Sequence, residues 1–501
     1  MRADSPDPIP RSHRLTLILL SAALLLLALL PRDLWVKDEA IVGAVLREMV
    51  VDGQWLVPHV NGEIYPDKPP LYFWLAAAPA AATGLLTPLW FRLPAALAAI
   101  GCVWLLYALG ARLFDRDTGL FASVILATSP LFAAGALIAR MDMLLTLLVT
   151  AIFYCFARGM QEPAHPRRWF LAMYALAGLA FLTKALIGPV IAGVVIAGVL
   201  LWRREWRAWV RVEPIWGTLL FAAVILPWLA PAVLQEGMAY ANAVLVKQSV
   251  GRAVQAFDHA RPFYYYLYAF PATFLPWIVI LPVALWRLRS DGGRTDWPVQ
   301  LLLLWSVGLF VFFSAVSGKL VIYLLPLVPA LALIVAREWR RAWSPTLFAT
   351  LAVTGALLIV AARGAAFHYN ASMSPKALGQ FLHARDDGSS AMATYKIRPG
   401  LLNFYAERRF LTLENSDAVR DFLLQPTPAI AVIREEDRAR IWDPLPAELR
   451  QLGRYRVADT TYLVLATPAT PTGPERSSLL GQVVMLAAQP EHDEREIGQI
   501  E

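Results

Sequence analysis

The chain has little charge and almost no cysteine. Only 17% of its 501 residues are Asp, Glu, Lys or Arg, against about a quarter in an ordinary soluble domain. That deficit excludes a solvated globular surface over most of its length. Its two cysteines, Cys102 and Cys155, both lie inside apolar runs. They exclude a disulfide framework or a cysteine metal cluster and read as small buried hydrophobes. Chemical fingerprints are missing too. There is no P-loop, GxGxxG, HExxH or CxxC, and no internal repeat. Nothing in the chain therefore points to a nucleotide substrate.

What is present is apolar. The composition is 58% hydrophobic with a mean hydropathy of +0.51. Runs of about 18 or more apolar residues recur, each long enough to cross a bilayer. The expected class is a polytopic α-helical membrane protein. Candidate spans fall near 14–31, 89–110, 118–138, 142–158, 169–184, 186–202, 214–232, 266–286, 298–316, 320–336 and 344–362. The run Leu15–Leu30 follows Arg11 and Arg14 but lacks a small-residue cleavage site, so it reads as an uncleaved first span. Leu71–Leu86 is apolar but short and reads as an interfacial helix.

Arginines set the orientation. Arg11 and Arg14 are followed by Arg112 and Arg116, then Arg158, Arg167 and Arg168, then Arg203, Arg204, Arg207 and Arg211. Arg287, Arg289 and Arg294 come next, then Arg337, Arg340 and Arg341. These groups fall on alternate connections, which the positive-inside rule makes cytoplasmic. The net charge of +7 thus reads as a membrane-facing belt rather than a nucleic-acid surface. The expected organisation is a transmembrane domain over 1–362 with an outer catalytic loop at 33–74. A small outer α/β domain follows over 363–467, and a disordered tail over 468–501. Strand-like runs at Ala391–Tyr395, Phe410–Leu413, Ala429–Ile433 and Tyr462–Leu465 alternate with helical patterns at Pro375–Ala384 and Asp417–Leu424.

The opposite face carries few charges, but they sit at span ends, where a lone ionisable group is costly and marks a functional candidate. The stretch Trp35–Trp74 joins two apolar segments with about forty residues where a few would do. Asp38-Glu39 reads as a general base, sugar-binding or metal-binding pair, or as the cap of a helix over Glu39–Val51. Asp67-Lys68-Pro69-Pro70 fixes an ammonium beside a carboxylate, suited to a lipid phosphate, or is a proline-rich turn with a snorkelling lysine. Arg140-Met141-Asp142 reads as a self-satisfied pair or as a second active-site carboxylate facing Asp38. Lys247, His259 and Arg261 with Tyr264, Tyr265 and Tyr266 form a cationic and aromatic loop, either a phosphate and sugar site or an interfacial belt. In Ser317-Gly318-Lys319 and Tyr323, the lysine and tyrosine lie one turn apart and read as a phosphate clamp or as belt residues.

Taken together, the pattern DEA…REM…G.W..P..NG..Y.DKPPLYFW over Asp38–Trp74, Arg140/Asp142, His259–Tyr265 and Gly318–Pro326 resembles a known family. These are the GT-C-fold integral-membrane glycosyltransferases related to the protein O-mannosyltransferases, in particular the aminoarabinose (4-amino-4-deoxy-L-arabinose) lipid A transferases. The resemblance covers about residues 30–340. It implies about 11–13 transmembrane helices, outer juxtamembrane helices and a periplasmic C-terminal domain. It implies a polyprenyl (undecaprenyl) phosphate-linked sugar donor and lipid A or another envelope acceptor, in a bacterial inner membrane with a cytoplasmic N-terminus. By analogy Asp38, Glu39 and Asp142 lie at the reaction centre. Lys68, Lys319 and Tyr323 would hold the donor phosphate, supported by Arg261, Tyr264 and Tyr265. Asp67, Arg140, His259 and Lys247 are further candidates. No cofactor is expected to be required, with a divalent metal near Asp38, Asp67 and Asp142 left open. The family's Glu before the lysine is Asp67 here, which shortens its reach. Two other functions compete: protein O-mannosylation, and transport of polyprenyl-linked sugars. The second would need polar groups threading the spans.

Overall fold

A computed structural model describes residues 8–35, 38–162, 164–245, 261–290, 296–342, 344–386 and 388–471. The chain forms two compact units. The first comprises Met1–Gly379, Arg398–Arg409 and Val457–Asp459, and the second Gln380–Ile397, Phe410–Arg456 and Thr460–Glu501.

Among the described residues seven helices are long and apolar enough to cross a membrane, and an eighth span is made by a bent pair. In order, the first elements are α1 (Arg11–Leu29), α2 (Asp38–Val51), β1 (His59–Val60), β2 (Glu63–Ile64), α3 (Leu71–Thr83) and α4 (Pro88–Leu113). They continue with α5 (Arg116–Ala127), α6 (Pro130–Leu137), α7 (Asp142–Gln161), α8 (Pro166–Lys184), α9 (Ile187–Arg203), α10 (Trp206–Arg211) and α11 (Pro214–Glu236). Later spans run over Trp297–Ala315, Val321–Arg340 and Pro345–His368.

Each expected span falls on helical structure, but among the described residues only eight of the eleven, counting the bent pair, are long and apolar enough to cross a membrane; 169–184 (α8), 186–202 (α9) and 266–286 fall short. Three stretches are irregular. The span expected at 118–138 bends by 65° between α5 and α6, where Pro130 follows Ser129 and cannot donate its own backbone bond. The span expected at 266–286 is broken: Tyr265–Ala269, 3-10 turns at Pro271–Phe274 and Trp277–Val279, then Leu281–Ser290. Pro271 and Pro276 interrupt its ladder. Trp297–Ala315 carries a π-turn at Leu304–Gly308.

Small residues bring spans together. A Cβ on Gly110 of α4 would lie 2.6 Å from the Cα of Gly119 on α5, so the two backbones touch in the manner of small-residue membrane helix crossings. Two fully buried indoles find partners for their N–H groups. Trp277 donates to Thr128 Oγ1 at 3.0 Å and Trp305 to the Pro326 carbonyl at 2.7 Å.

The long connection between α1 and α3 is built from α2 and the β1–β2 hairpin. Asp38 and Glu39 open α2, where carboxylates favour the positive end of the helix dipole. Asn61 (φ 59°) and Gly62 (φ 83°) both adopt left-handed backbone in the β1–β2 hairpin, as an Asn-Gly hairpin turn requires. Gly62 N–H donates to both Glu48 carboxylate oxygens at 3.2 and 3.0 Å. Trp74 and Trp228 pin the loop through the carbonyls of Trp55 and Leu56 at 2.7 and 2.9 Å. Within the same unit, Asn403 donates to Asn61 at 2.7 Å and Arg409 pairs with Asp52 at 2.8 Å.

The second unit holds a five-stranded sheet in the order β4-β3-β5-β7-β6, built from β3 (Ala391–Tyr395), β4 (Leu411–Leu413), β5 (Ala429–Arg434), β6 (Arg450–Val457) and β7 (Thr460–Ala466). β3 is parallel to β4 and β5, and β7 is antiparallel to β5. β6 had no counterpart among the expected strands. It is an edge strand with mostly exposed or half-buried residues, RQLGRYRV, so it lacks the apolar alternation that marks a strand. The chain passes from one unit to the other more than once, because 398–409 folds with the first unit. The expected tail at 468–501 lies outside the described residues from 472 onward.

Candidate active site

The centre is built by two neighbouring helices. α7 begins at Asp142 and α8 ends at Lys184, where Ala185 (φ 50°) breaks the helix. A carboxylate at a helix N-terminus and an ammonium at a helix C-terminus each match the local dipole. The two ends of this antiparallel pair coincide, and Lys184 Nζ donates to Asp142 Oδ1 at 2.5 Å. Arg140, in the short turn between α6 and α7, donates through Nε to Asp142 Oδ2 at 3.0 Å. Its Nη1 reaches Asp38 Oδ2 on α2. The Lys184 ammonium also lies 4.5 Å from the ring centre of Tyr323, a cation–π contact. Asp38, Arg140, Asp142, Lys184 and Tyr323 thus form one continuous chain of contacts.

Exposure separates the two aspartates. The Asp142 side chain is 3% exposed and that of Asp38 is 43%. Asp142 is enclosed by two cations, while Asp38 keeps an open side. Burial alone would lower the Arg140 pKa, but the carboxylates of Asp142 and Asp38 outweigh it and hold the guanidinium above its ordinary value. It is a fixed cation. Glu39 is buried, with both carboxylate oxygens taken by donors of the protein.

A second group gathers around Ser317–Tyr323. Lys319 is 3% exposed, and its ammonium donates to the carbonyls of Arg261 (3.1 Å) and Val316. Desolvation lowers its pKa. Arg261 N–H donates to the Ser317 carbonyl at 3.2 Å, and its exposed guanidinium lies 5.9 Å from the Tyr265 ring centre. Tyr266 donates to the Leu320 carbonyl at 3.1 Å, and Tyr264 is exposed. Lys68 is half-buried and donates to the Asp67 carbonyl at 3.0 Å. Lys247 and His259 lie outside the described residues.

A divalent metal does not fit the Asp38–Asp142 pair as arranged. Both Asp142 oxygens and one Asp38 oxygen already receive cationic donors, and an added dication would face Arg140 and Lys184. Among the described residues no group of three or more His, Cys, Asp or Glu side chains could hold a metal ion.

Comparison with known proteins narrows the reading. Residues 67–230 match the dolichyl-phosphate-mannose-protein mannosyltransferase family. The undecaprenyl phosphate-alpha-4-amino-4-deoxy-L-arabinose arabinosyl transferase of Shewanella sediminis (strain HAW-EB3) is 30% identical over 324 residues, 62% of this chain and 58% of that protein. Its counterpart from Pseudomonas savastanoi pv. phaseolicola (strain 1448A / Race 6) is 32% identical over 325 residues, 64% of this chain and 60% of that one. The chain therefore spans less than two thirds of the length of the curated relatives it matches. Among solved structures, ArnT from Cupriavidus metallidurans, crystallised with undecaprenyl phosphate, matches with a TM-score of 0.79. That match covers 91% of this chain and 98% of that one at 18% identity. The archaeal oligosaccharyltransferase AglB from Archaeoglobus fulgidus matches at 0.58 with 12% identity, over 85% of this chain and 70% of that one.

The chain is a GT-C-fold membrane protein. Lys184 is a site residue that the sequence alone does not single out. Its signal was a single lysine within the apolar run Leu182-Thr-Lys-Ala-Leu186, at the end of a span. The sequence does not single out Arg32 either, because its role depends on a buried partner seven residues away in sequence.

Proposed function

We infer that this protein transfers a sugar from a polyprenyl-phosphate donor to an envelope acceptor at the periplasmic face of a bacterial inner membrane. The favoured pair is aminoarabinose, or a related sugar, and lipid A. The observation that carries the reading is the Asp38–Arg140–Asp142–Lys184 network, which leaves one half-exposed carboxylate, Asp38, at the ends of membrane helices. The names of the relatives and the undecaprenyl phosphate in the matching ArnT structure support the donor class. The alternating arginine groups support a cytoplasmic N-terminus and an outer location for the C-terminal sheet unit that begins at Gln380.

The reaction is an inverting displacement at the sugar C1. The acceptor oxygen forms the new bond to C1, and the bond from C1 to the phosphate oxygen breaks with its electron pair leaving on the polyprenyl phosphate. Asp38 takes the proton of a hydroxyl acceptor; a phosphate acceptor is already anionic and needs no base. Lys68, Lys319 and Arg261, with Tyr323, Tyr264 and Tyr265, stabilise the departing phosphate. Asp142 lies behind Arg140 and Lys184 and holds these cations in place.

The family matched over 67–230 favours a second reading, transfer of mannose to secreted protein. Mass spectrometry of envelope lipids and secreted proteins, with and without the gene, separates the two. A lipid A mass increment that depends on the gene and is lost in Asp38→Ala supports the first reading. A hexose increment confined to secreted proteins supports the second. An unchanged envelope with altered sidedness of the lipid-linked sugar would sink both and indicate a transporter.

A further inference from the structure

Glu39 adjoins Asp38 but does not share its surroundings. Its side chain is 6% exposed. Oε1 accepts from Arg32 Nη2 at 2.5 Å and from the Ala139 backbone N–H at 2.7 Å. Oε2 accepts from the Trp35 backbone N–H at 3.1 Å. One buried carboxylate thus ties together three segments: the chain leaving α1, the start of α2 and the turn before α7. The next residue to Glu39 is Asp38, and the next to Ala139 is Arg140. Glu39 therefore holds the two peptide units that carry the Asp38–Arg140 pair.

The other side of this clamp is anchored in the membrane helices. The Arg32 guanidinium lies 4.6 Å from the Trp35 ring centre and donates to the Leu137 carbonyl at 3.2 Å. The Leu30 carbonyl just past α1 accepts from Arg92 of α4 at 3.4 Å and from Arg363 at 3.1 Å, and Arg363 also reaches the Pro31 carbonyl at 3.2 Å. Two arginines thus cap the negative end of α1, the favoured place for cations, and fix where Arg32 begins.

The geometry points to Glu39 as a positioning residue for the transfer proposed above: it sets Arg140 against Asp38 without touching substrate. The inference rests on that functional reading. Within the turn itself the backbone bond is Arg140 N–H to the Ile138 carbonyl at 2.9 Å. Without Glu39 the Ala139 N–H loses its acceptor, and Arg140 is drawn toward the buried Asp142 and away from Asp38. All three partners of Glu39 are donors. A glutamine of the same shape presents an NH2 to one of them, so the role depends on three acceptor sites rather than on volume.

The test is a double-mutant cycle on the purified full chain in lipid, read as kcat and donor KM. Glu39→Gln lowers kcat about a hundredfold, the scale of a misplaced reacting geometry, and leaves donor KM within about twofold. In an Arg140→Ala background the same change costs less than about twofold, because a residue that acts through Arg140 has nothing left to position. Equal losses in both backgrounds overturn the inference. Where Glu39→Gln fails to fold, Arg32→Lys is read in the same cycle, with a smaller loss that again vanishes without Arg140. Hydrogen exchange supplies an arm independent of activity. Glu39→Gln speeds amide exchange across 138–141 at least about tenfold while the interior of α7 is unchanged. Unaltered exchange at 138–141 overturns the clamp, even if the wild-type chain transfers no sugar and the functional reading has itself failed.

Discussion

Replacing Asp142 by asparagine isolates the buried ion network. Asp142 accepts one bond from Arg140 Nε at 3.0 Å and one from Lys184 Nζ at 2.5 Å, with 3% of its side chain exposed. Each bond to a charged group contributes about 1.5–3 kcal/mol. Asparagine keeps one acceptor oxygen and turns an NH2 toward the other cation. It also leaves the 14%-exposed Lys184 ammonium without its counter-charge. The expected loss is about 3–5 kcal/mol, the range for breaking one side of a buried pair. The double variant Asp142→Leu with Lys184→Met removes both charges together, while Arg140 keeps Asp38. It should recover more than half of that loss, because the desolvation cost of both groups also disappears. Thermal unfolding of detergent-purified protein at one scan rate reads both effects. Transfer activity stays low in both variants, since Arg140 has lost its buried anchor. An unfolding temperature for Asp142→Asn equal to wild type refutes the network as a desolvated unit. A double variant no more stable than Asp142→Asn refutes the charge argument and leaves a purely steric one.

Three further outcomes follow from the same structure. Asp38→Ala lowers transfer at least about a hundredfold, the lower end for a positioned acid–base group, while the fold persists because its side chain is half-exposed; undiminished turnover would remove Asp38 from the reaction. Lys319 has a folded-state pKa below its ordinary value of about 10.4. The unfolded chain binds more protons between the two values, so stability rises with pH on the alkaline side as the ordinary lysine value is approached from below; Lys319→Met should flatten that rise in unfolding temperature, and an unchanged slope would count against a desolvated ammonium. Gly110→Val should destabilise by at least about 1–3 kcal/mol, the range for overpacking, because the first added atom already meets the Gly119 backbone at 2.6 Å; an unfolding temperature equal to wild type would show that α4 and α5 separate freely.

The spans were legible because apolar length is a local property: a run of the right length is a membrane helix wherever it packs. Asp38 and Arg140 were legible as lone charges at span ends. Lys184 was not legible as a partner, since nothing in the sequence relates it to a carboxylate 42 residues earlier. Glu39 illustrates the reverse. Its neighbour Asp38 made it look like a reacting group, yet a helix turns successive side chains about 100° apart. One carboxylate faces outward and the next is buried.

The sequence by itself determined the class of this molecule. Its scarcity of charge, its apolar runs and its alternating arginines define a multi-pass membrane protein, and its ordered motifs carry the resemblance to GT-C transferases. Only the tertiary structure decided which charges meet. The meeting of Asp38, Arg140, Asp142 and Lys184 depends on where α2, α7 and α8 end relative to one another. Those ends are fixed by helix packing and by buried clamps such as Glu39, contacts between residues far apart in the chain that no local pattern encodes.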